Sequence, residues 1–325
     1  MSQNRCAVKL RLICLGLLLC LSTVFCWGQD ELPEQARRDR NSGIVYPSRE
    51  LQQLMEFIAV ANPLPATFKE TKENRIIDPG LSLQGFWKKL ETLSHPVRIV
   101  HIGDSHVRGH VFPYVMRRQL ENDFGNQAVL DMEVTYRTSG LAHETGRAGV
   151  VYHILGANGA TCATFSTPER IGEVIRLNPD LIILSFGTNE AHGRRYSSAE
   201  HKAAMYSLLT ALRSGCPNAA FLLTTPPGAY VRNGRQGRII NPRTPSVVNT
   251  ERLFAEENQL ALWDLYDIVG GKQYACRNWA AAHAFQRDKI HFTHDGYILQ
   301  GLLLHEAFIK AYNDYVATQS DDTRN

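Results

Sequence analysis

From Val97 onward the chain alternates short, mainly apolar runs with longer segments whose apolar residues recur every three or four positions. The runs Val97 to Ile102, Val150 to Leu155, Leu181 to Phe186, Ala220 to Thr224 and Leu260 to Leu265 have the length of strands. A strand that is apolar on both sides must be covered on both sides, as strands of parallel sheets are. The segments between the runs supply that cover. Val111, Val115, Met116 and Leu120 share one face of a helix near residues 108–124, and Ile171, Val174 and Ile175 mark a second. Ala204, Met205, Leu208 and Leu212 line a third, behind a Ser197–Glu200 capping box. A Pro/Gly/Arg-rich loop over 226–244 leads to a helix ending near Glu257, and a long helix runs from about Asp295 to Val316. The alternation predicts an α/β fold: a three-layer α/β/α sandwich around a mainly parallel central sheet. Residues 126–149 are the one irregular stretch.

The chain ahead of this pattern is of another kind. Arg5, Lys9 and Arg11 precede an uncharged apolar stretch from Leu12 to Phe25, and Cys26-Trp27-Gly28 places small residues where a signal cleavage site needs them. The stretch falls short of the roughly 20 residues of a membrane span, so residues 1–28 are expected to be a secretory signal peptide, with an uncleaved anchor as the alternative. Removing its three basic residues takes the formal net charge from +3 to zero. The mature chain then has no global charge that would draw it to nucleic acid or to an anionic membrane, and no stable membrane insertion is expected. Export to the periplasm or the extracellular cell envelope follows. Cys162, Cys216 and Cys276 remain after cleavage, and in an oxidising compartment one bridge is possible, Cys216–Cys276 by default. Leu51, Leu54, Met55 and Ile58 share a helical face behind Ser48, as do Leu83, Phe86, Trp87, Leu90 and Leu93. The expected organisation is a signal peptide at 1–28, an N-terminal helical extension at 29–94, the α/β domain at 95–318 and a polar tail at 319–325.

In open α/β sheets, ligands bind beyond the carboxyl ends of the strands. Gly103-Asp104-Ser105-His106, Gly156-Ala157-Asn158-Gly159 and Gly187-Thr188-Asn189-Glu190 follow three successive strands, and Asp288-Lys289-Ile290-His291 precedes the last helix. No core requires these polar segments. In this order they resemble the blocks of the SGNH/GDSL hydrolase family, named for Ser, Gly, Asn and His. Ile102-Gly103-Asp104-Ser105 is similar to the nucleophile block, and Gly159 and Asn189 to the glycine and asparagine. Asp288-x-x-His291, continuing as Phe292-Thr293, is similar to the final block. The resemblance implies a flavodoxin-like hydrolase domain and a serine esterase that needs no cofactor or metal.

Chemistry gives each position a role. A serine hydroxyl needs an imidazole to take its proton during attack, which assigns Ser105 as nucleophile and His291 as base. Asp288, three residues earlier, has the reach to fix the imidazole's tautomer. The Ser105 and Gly159 backbone N–H groups and the Asn189 side-chain amide are the candidate oxyanion hole. His106, Glu190 and Thr293 are candidate pocket residues. His106 stands where the family's eponymous sequence has leucine. Each residue also has an ordinary structural reading: Ser105 as a helix N-cap, Gly159 as a turn glycine, Asn189 as a loop cap, His291 as a surface histidine. These readings must all hold together to displace the catalytic one. His106, His110, His294 and Asp288 can also be drawn as a zinc site, although four-residue histidine spacing arises often by chance.

Finer strings, among them Ser185-Phe186-Gly187-Thr188-Asn189-Glu190-Ala191 and Trp263-Asp264-Leu265-Tyr266, are similar to an exported bacterial branch related to peptidoglycan O-acetylesterases. That likeness implies removal of small acyl groups, acetyl foremost, from an acylated glycan or small ester. An acyltransferase with the same triad, a lipase or thioesterase of the same family, and a non-catalytic glycan-binding relative are the alternatives. Residues 126–149 are too few for the carbohydrate-binding-like insertion of some members.

Overall fold

The computed structural model describes Ile58 and residues 63–130, 140–234 and 237–322. The expected signal peptide, the polar leader and the helix behind Ser48 lie outside these residues, Ile58 apart. Residues Pro63–Asn325 form one compact unit, so the boundary expected at residue 94 is not where this unit begins. The reason is packing. Strand Ile76–Ile77 (β1) joins the edge of the sheet, and helix Gln84–Thr92 (α1) buries Phe86, Trp87 and Leu90. The Trp87 ring meets Phe308 and Tyr312 of the last helix edge-on, at 4.7 and 6.3 Å between centroids. Each such side chain taken from water contributes about 1.5–3 kcal/mol.

The sheet continues with Pro96–Gly103 (β2), Gly149–Gly156 (β3), Leu181–Ser185 (β4) and Ala220–Thr224 (β5). A hairpin of Tyr230–Arg232 (β6) and Arg238–Ile240 (β7) follows, then Ala261–Trp263 (β8). The sheet order is β1-β8-β5-β4-β2-β3, with only β1 antiparallel. Taken alone, the five parallel strands run in the flavodoxin-like order 2-1-3-4-5. Helices Ser105–Arg108 (α2), Val111–Phe124 (α3), Cys162–Phe165 (α4), Pro168–Arg176 (α5) and Thr188–His192 (α6) lie between strands. Ser198–Gly215 (α7), Thr244–Glu257 (α8), Leu265–Ile268 (α9), Gly271–Ala281 (α10) and His294–Asp322 (α11) complete the chain. One face of the sheet buries Val100, Ile102, Ile182, Leu184 and Leu223 against Phe165, Leu208, Leu212 and Phe254. The α3 and α11 helices pack against each other, and α11 also packs on α1. The three-layer α/β/α sandwich is therefore present as the apolar alternation predicts.

Four differences from the sequence-based expectation have identifiable causes. The helix expected over 108–124 is broken, because His110 adopts φ +67°, so α2 and α3 are separate. The loop at 226–244 contains the β6–β7 hairpin, whose three-residue strands are too short to show a period. Helix α10 went unrecognised because it opens on two glycines and carries no clean stripe, yet Trp279 within it is fully buried. Cys162, Cys216 and Cys276 are all free and buried, with no Cys216–Cys276 bridge. Between 126 and 149 the described residues add only isolated bridges, Val129 to Glu144 and Gly140 to Ile154.

The register sets up the site. Gly103 at the end of β2 pairs with Gly156 on one side and Ser185 on the other. The segments after β2, β3 and β4 therefore emerge on one rim. Gly156 is needed for more than a turn: a Cβ there would lie 2.1 Å from the backbone nitrogen of Arg108, in α2. Gly156→Ala is expected to cost roughly 1–3 kcal/mol by overpacking and to reduce turnover by pushing α2 outward. Chemical denaturation together with kcat measures both, and a variant with unaltered stability would refute it.

Candidate active site

Ser105 is the first residue of α2, and Asp104 caps that helix by accepting the His106 N–H at 2.8 Å. First-turn N–H groups of a helix have no partner inside it, so the Ser105 end of α2 presents donors at the rim. Asp104 is 1% exposed. Burial pushes its carboxyl up to about 8, with the His106 N–H pulling the other way and the Glu190 charge adding to the rise.

Asp288 and His291 sit on a tight excursion between α10 and α11. Its base is pinned by a Phe285–Phe292 bridge, by Gln286 N–H donating to His291 O at 2.8 Å, and by Thr293 N–H donating to Ala284 O at 2.7 Å. Phe292 is fully buried between the Trp279 and Phe285 rings, at 5.2 and 4.6 Å. This places His291 Nε2 3.0 Å from Ser105 Oγ. Asp288 Oδ2 accepts from His291 Nδ1 at 2.6 Å, and Asp288 Oδ1 accepts from the N–H groups of Ile290 and His291, each at 2.9 Å. Partial burial works to raise the Asp288 carboxyl, but the His291 bond, those two N–H bonds and the His291 charge together hold it below its usual value. With Nδ1–H committed to Asp288, Nε2 faces the serine as an acceptor.

Gly159 follows β3 and Asn189 follows β4, on either side of the nucleophile. Gly159 has φ +71°, the left-handed region that favours glycine. A Cβ there would meet no protein atom, so the backbone conformation, rather than crowding by the chain, selects glycine. The Asn189 amide donates to Ala160 O at 2.9 Å and, more weakly, to Asp104 Oδ2 at 3.3 Å. Ser105, Gly159, Asn189 and His291 line one open cavity of about 720 Å³, while Asp288 stands behind His291.

None of the three candidate pocket residues lines this cavity. Glu190 turns inward, where its carboxylate accepts from the Gly187 and Cys162 N–H groups. Thr293 accepts the Gly296 N–H at the start of α11. His106 lies under the nucleophile, with Nδ1 against the Tyr297 hydroxyl at 2.9 Å and its ring 5.5 Å from that of His291. Burial and the nearby His291 hold His106 down to about 3, so its imidazole stays neutral at neutral pH. The cavity instead takes Asn158, His192, Gln286, Ile290, His294 and Tyr297 among its walls. Sequence offered a signal for four of these: Asn158 adjoins Gly159, His192 lies one helical turn beyond Asn189, Ile290 stands inside the Asp288–His291 block, and His294 follows His291 by three. Gln286 and Tyr297 gave none, since only the fold of the 284–297 excursion turns them toward Ser105.

The residues drawn as a zinc site, His106, His110, His294 and Asp288, do not converge. Among the described residues, the one group of metal-type donor atoms close together is Cys162, Glu190 and His201. Both Glu190 oxygens there already accept backbone N–H groups, and burial raises the Cys162 thiol well above its ordinary value. No helix among the described residues is long and apolar enough to cross a membrane.

A hydroxyl, an imidazole and a carboxylate in series, at the carboxyl ends of a parallel sheet and beside its topological switch point, make the arrangement of a serine hydrolase site. The model of the GDSL-like lipase/acylhydrolase family matches residues 101–299, and the chain belongs to that family of ester hydrolases. A solved peptidoglycan O-acetylesterase superposes with a TM-score of 0.61 at 19% identity, covering 74% of this chain and 99% of its own. A lipase/acylhydrolase from Enterococcus faecalis gives 0.47 at 22% identity, over 66% of this chain and 96% of its own. The acetyl xylan esterase AlAXEase gives 0.47 at 18% identity, over 65% and 99%. At these identities the likeness is one of fold. No curated protein matches the sequence.

Proposed function

We propose that the protein is an exported esterase that removes small acyl groups, acetyl foremost, from a carbohydrate such as cell-wall glycan. The observation that carries this is the Ser105–His291–Asp288 series opening directly into a cavity whose mixed walls set Asn158, Gln286 and His294 beside Val111 and Ile290. Ser105 Oγ attacks the ester carbonyl as His291 Nε2 takes its proton. The Oγ–C bond forms, and the carbonyl oxygen becomes an oxyanion. The Ser105 and Gly159 N–H groups meet it, as does the Asn189 amide hydrogen that Asp104 holds only at 3.3 Å. Collapse breaks the bond to the sugar oxygen, which leaves with the proton from His291. Water activated by the same imidazole then releases the acid and restores Ser105.

Asn158, Gln286 and His294 offer hydrogen-bonding groups for sugar hydroxyls, and the solved relative of like fold that acts on peptidoglycan is of that substrate class. The basic, then apolar, then small-residue pattern of residues 1–28 supports export. The test is a panel of O-acetylated glycans and 4-nitrophenyl esters of increasing chain length. Acetate release that is fastest from acetylated glycan supports the proposal. Preference for long acyl chains would replace it with a lipase, and acetyl recovered on an added sugar would replace it with a transferase.

Asp288→Asn is expected to lower kcat about 10³–10⁴-fold. The asparagine oxygen is claimed by the Ile290 and His291 N–H groups, which leaves its NH₂ against Nδ1 and drives the proton to Nε2. Asp288→Ala, which imposes no wrong tautomer, should then lose less than Asp288→Asn. The reverse order in a kcat comparison would refute this geometry.

A further inference from the structure

We infer that Glu190 is a positioning residue that clamps the two loops carrying the oxyanion donors; the inference rests on the roles proposed above for Gly159 and Asn189. Glu190 follows Asn189 directly and turns away from the cavity, and its side chain is 7% exposed. Its Oε2 accepts the Gly187 N–H at 2.9 Å, at the start of the turn that carries Asn189. Its Oε1 accepts the Cys162 N–H at 2.8 Å, on the segment that leaves Gly159. The first bond is the ordinary reach of a third-position glutamate back to the head of its own helix. The second is not required by any cap, and it ties the loop after β4 to the loop after β3.

The Asn189 amide makes a parallel tie, to Ala160 O at 2.9 Å. The glycine loop is thus held at Ala160 by Asn189 and at Cys162 by Glu190, both just beyond Gly159. Charge-assisted bonds such as the two made by Glu190 are about twice as strong as neutral ones. Behind the clamp, His201 Nε2 approaches Glu190 Oε1 at 3.8 Å and has no hydrogen-bond partner, so an imidazole edge backs the carboxylate. Only a carboxylate satisfies both N–H groups. Glutamine accepts at one oxygen and sets an NH₂ against the other donor.

The experiment compares Glu190→Gln with wild type on 4-nitrophenyl acetate, well below the melting temperature of either. The expected result is a kcat reduced about 10- to 100-fold with KM changed by less than about threefold, the scale set by misplacing donors by a fraction of an ångström. A residue that merely stabilises the fold would lower the melting temperature and leave kcat intact, which would overturn the inference. The same substitution made in Asn189→Ala should cost clearly less than in wild type, because one of the donors it positions is gone. Equal costs in the two backgrounds would also overturn it. Should Glu190→Gln not be recovered folded, hydrogen exchange on wild type decides. The Cys162 and Gly187 amides should be protected together, and exchange of the Cys162 amide at open-loop rates would refute the clamp. If Ser105→Ala keeps its turnover, the proposed site itself fails; if Ser105→Ala is dead and Glu190→Gln is fully active, only the clamp fails.

Discussion

Ser105→Ala is expected to lower kcat on acetylated substrate by about 10⁴-fold or more while leaving stability within about 1 kcal/mol of wild type. The activity loss follows from the 3.0 Å Oγ–Nε2 contact, because in the proposed mechanism this hydroxyl forms the acyl-enzyme. The small stability effect follows from the surroundings. Ser105 is half-buried, its hydroxyl's contact is with a partly exposed imidazole, and the cap of α2 is made by Asp104 rather than by Ser105. Residual catalysis from the oxyanion donors keeps the variant above the uncatalysed rate. Steady-state kinetics with thermal unfolding tests both halves. Turnover within tenfold of wild type would mean that Ser105 is not the nucleophile.

The second large effect concerns stability against pH. His101, in strand β2 between β3 and β4, is fully buried, with Tyr152 OH at 2.8 Å from Nδ1 and Ser185 Oγ at 2.7 Å from Nε2. Burial lowers its pKa to about 3. The unfolded chain takes up a proton there below roughly 6.5, and the folded chain does not until about 3. Over that window the unfolded state binds more protons, so stability rises with pH; the contribution is complete above about 6.5 and is lost as pH falls. Between pH 6.5 and 4 the loss from this one residue is about 3 kcal/mol. His101→Gln removes the titrating group. Its stability gap to wild type should therefore narrow by about that amount on acidification, while every other buried acid or base contributes equally to both proteins. Denaturant unfolding at a series of pH values checks this, and a pH-independent gap would refute it.

Much of the fold is legible in the sequence because the five parallel strands are buried on both faces and so are apolar along their length. Their helices carry clean stripes for the same reason. What escaped has little periodicity to show. The three-residue strands of the hairpin, the two-residue β1 and the glycine-led α10 are specified by tertiary contacts such as Trp279 N–H donating to Pro227 O at 3.0 Å. For the candidate site, the residues that converge were legible in the sequence and the cavity walls around them only in part. The structure brings Ser105, His291 and Asp288 within bonding distance and sets Gly159 and Asn189 on the same cavity. Which neighbours face that cavity depends on side-chain direction. Glu190 and Thr293 sit one or two positions from site residues, and both point elsewhere because backbone N–H groups claim their oxygens.

The imidazole and its carboxylate ride on one four-residue stretch between α10 and α11, while the hydroxyl belongs to the first residue of α2. A shift of that stretch as one body would carry both partners along and keep their mutual bond, parting the series between His291 and Ser105. Deactivation by loop displacement would then preserve the histidine tautomer in full. A resting enzyme with the joint open would need a single rigid movement to become competent.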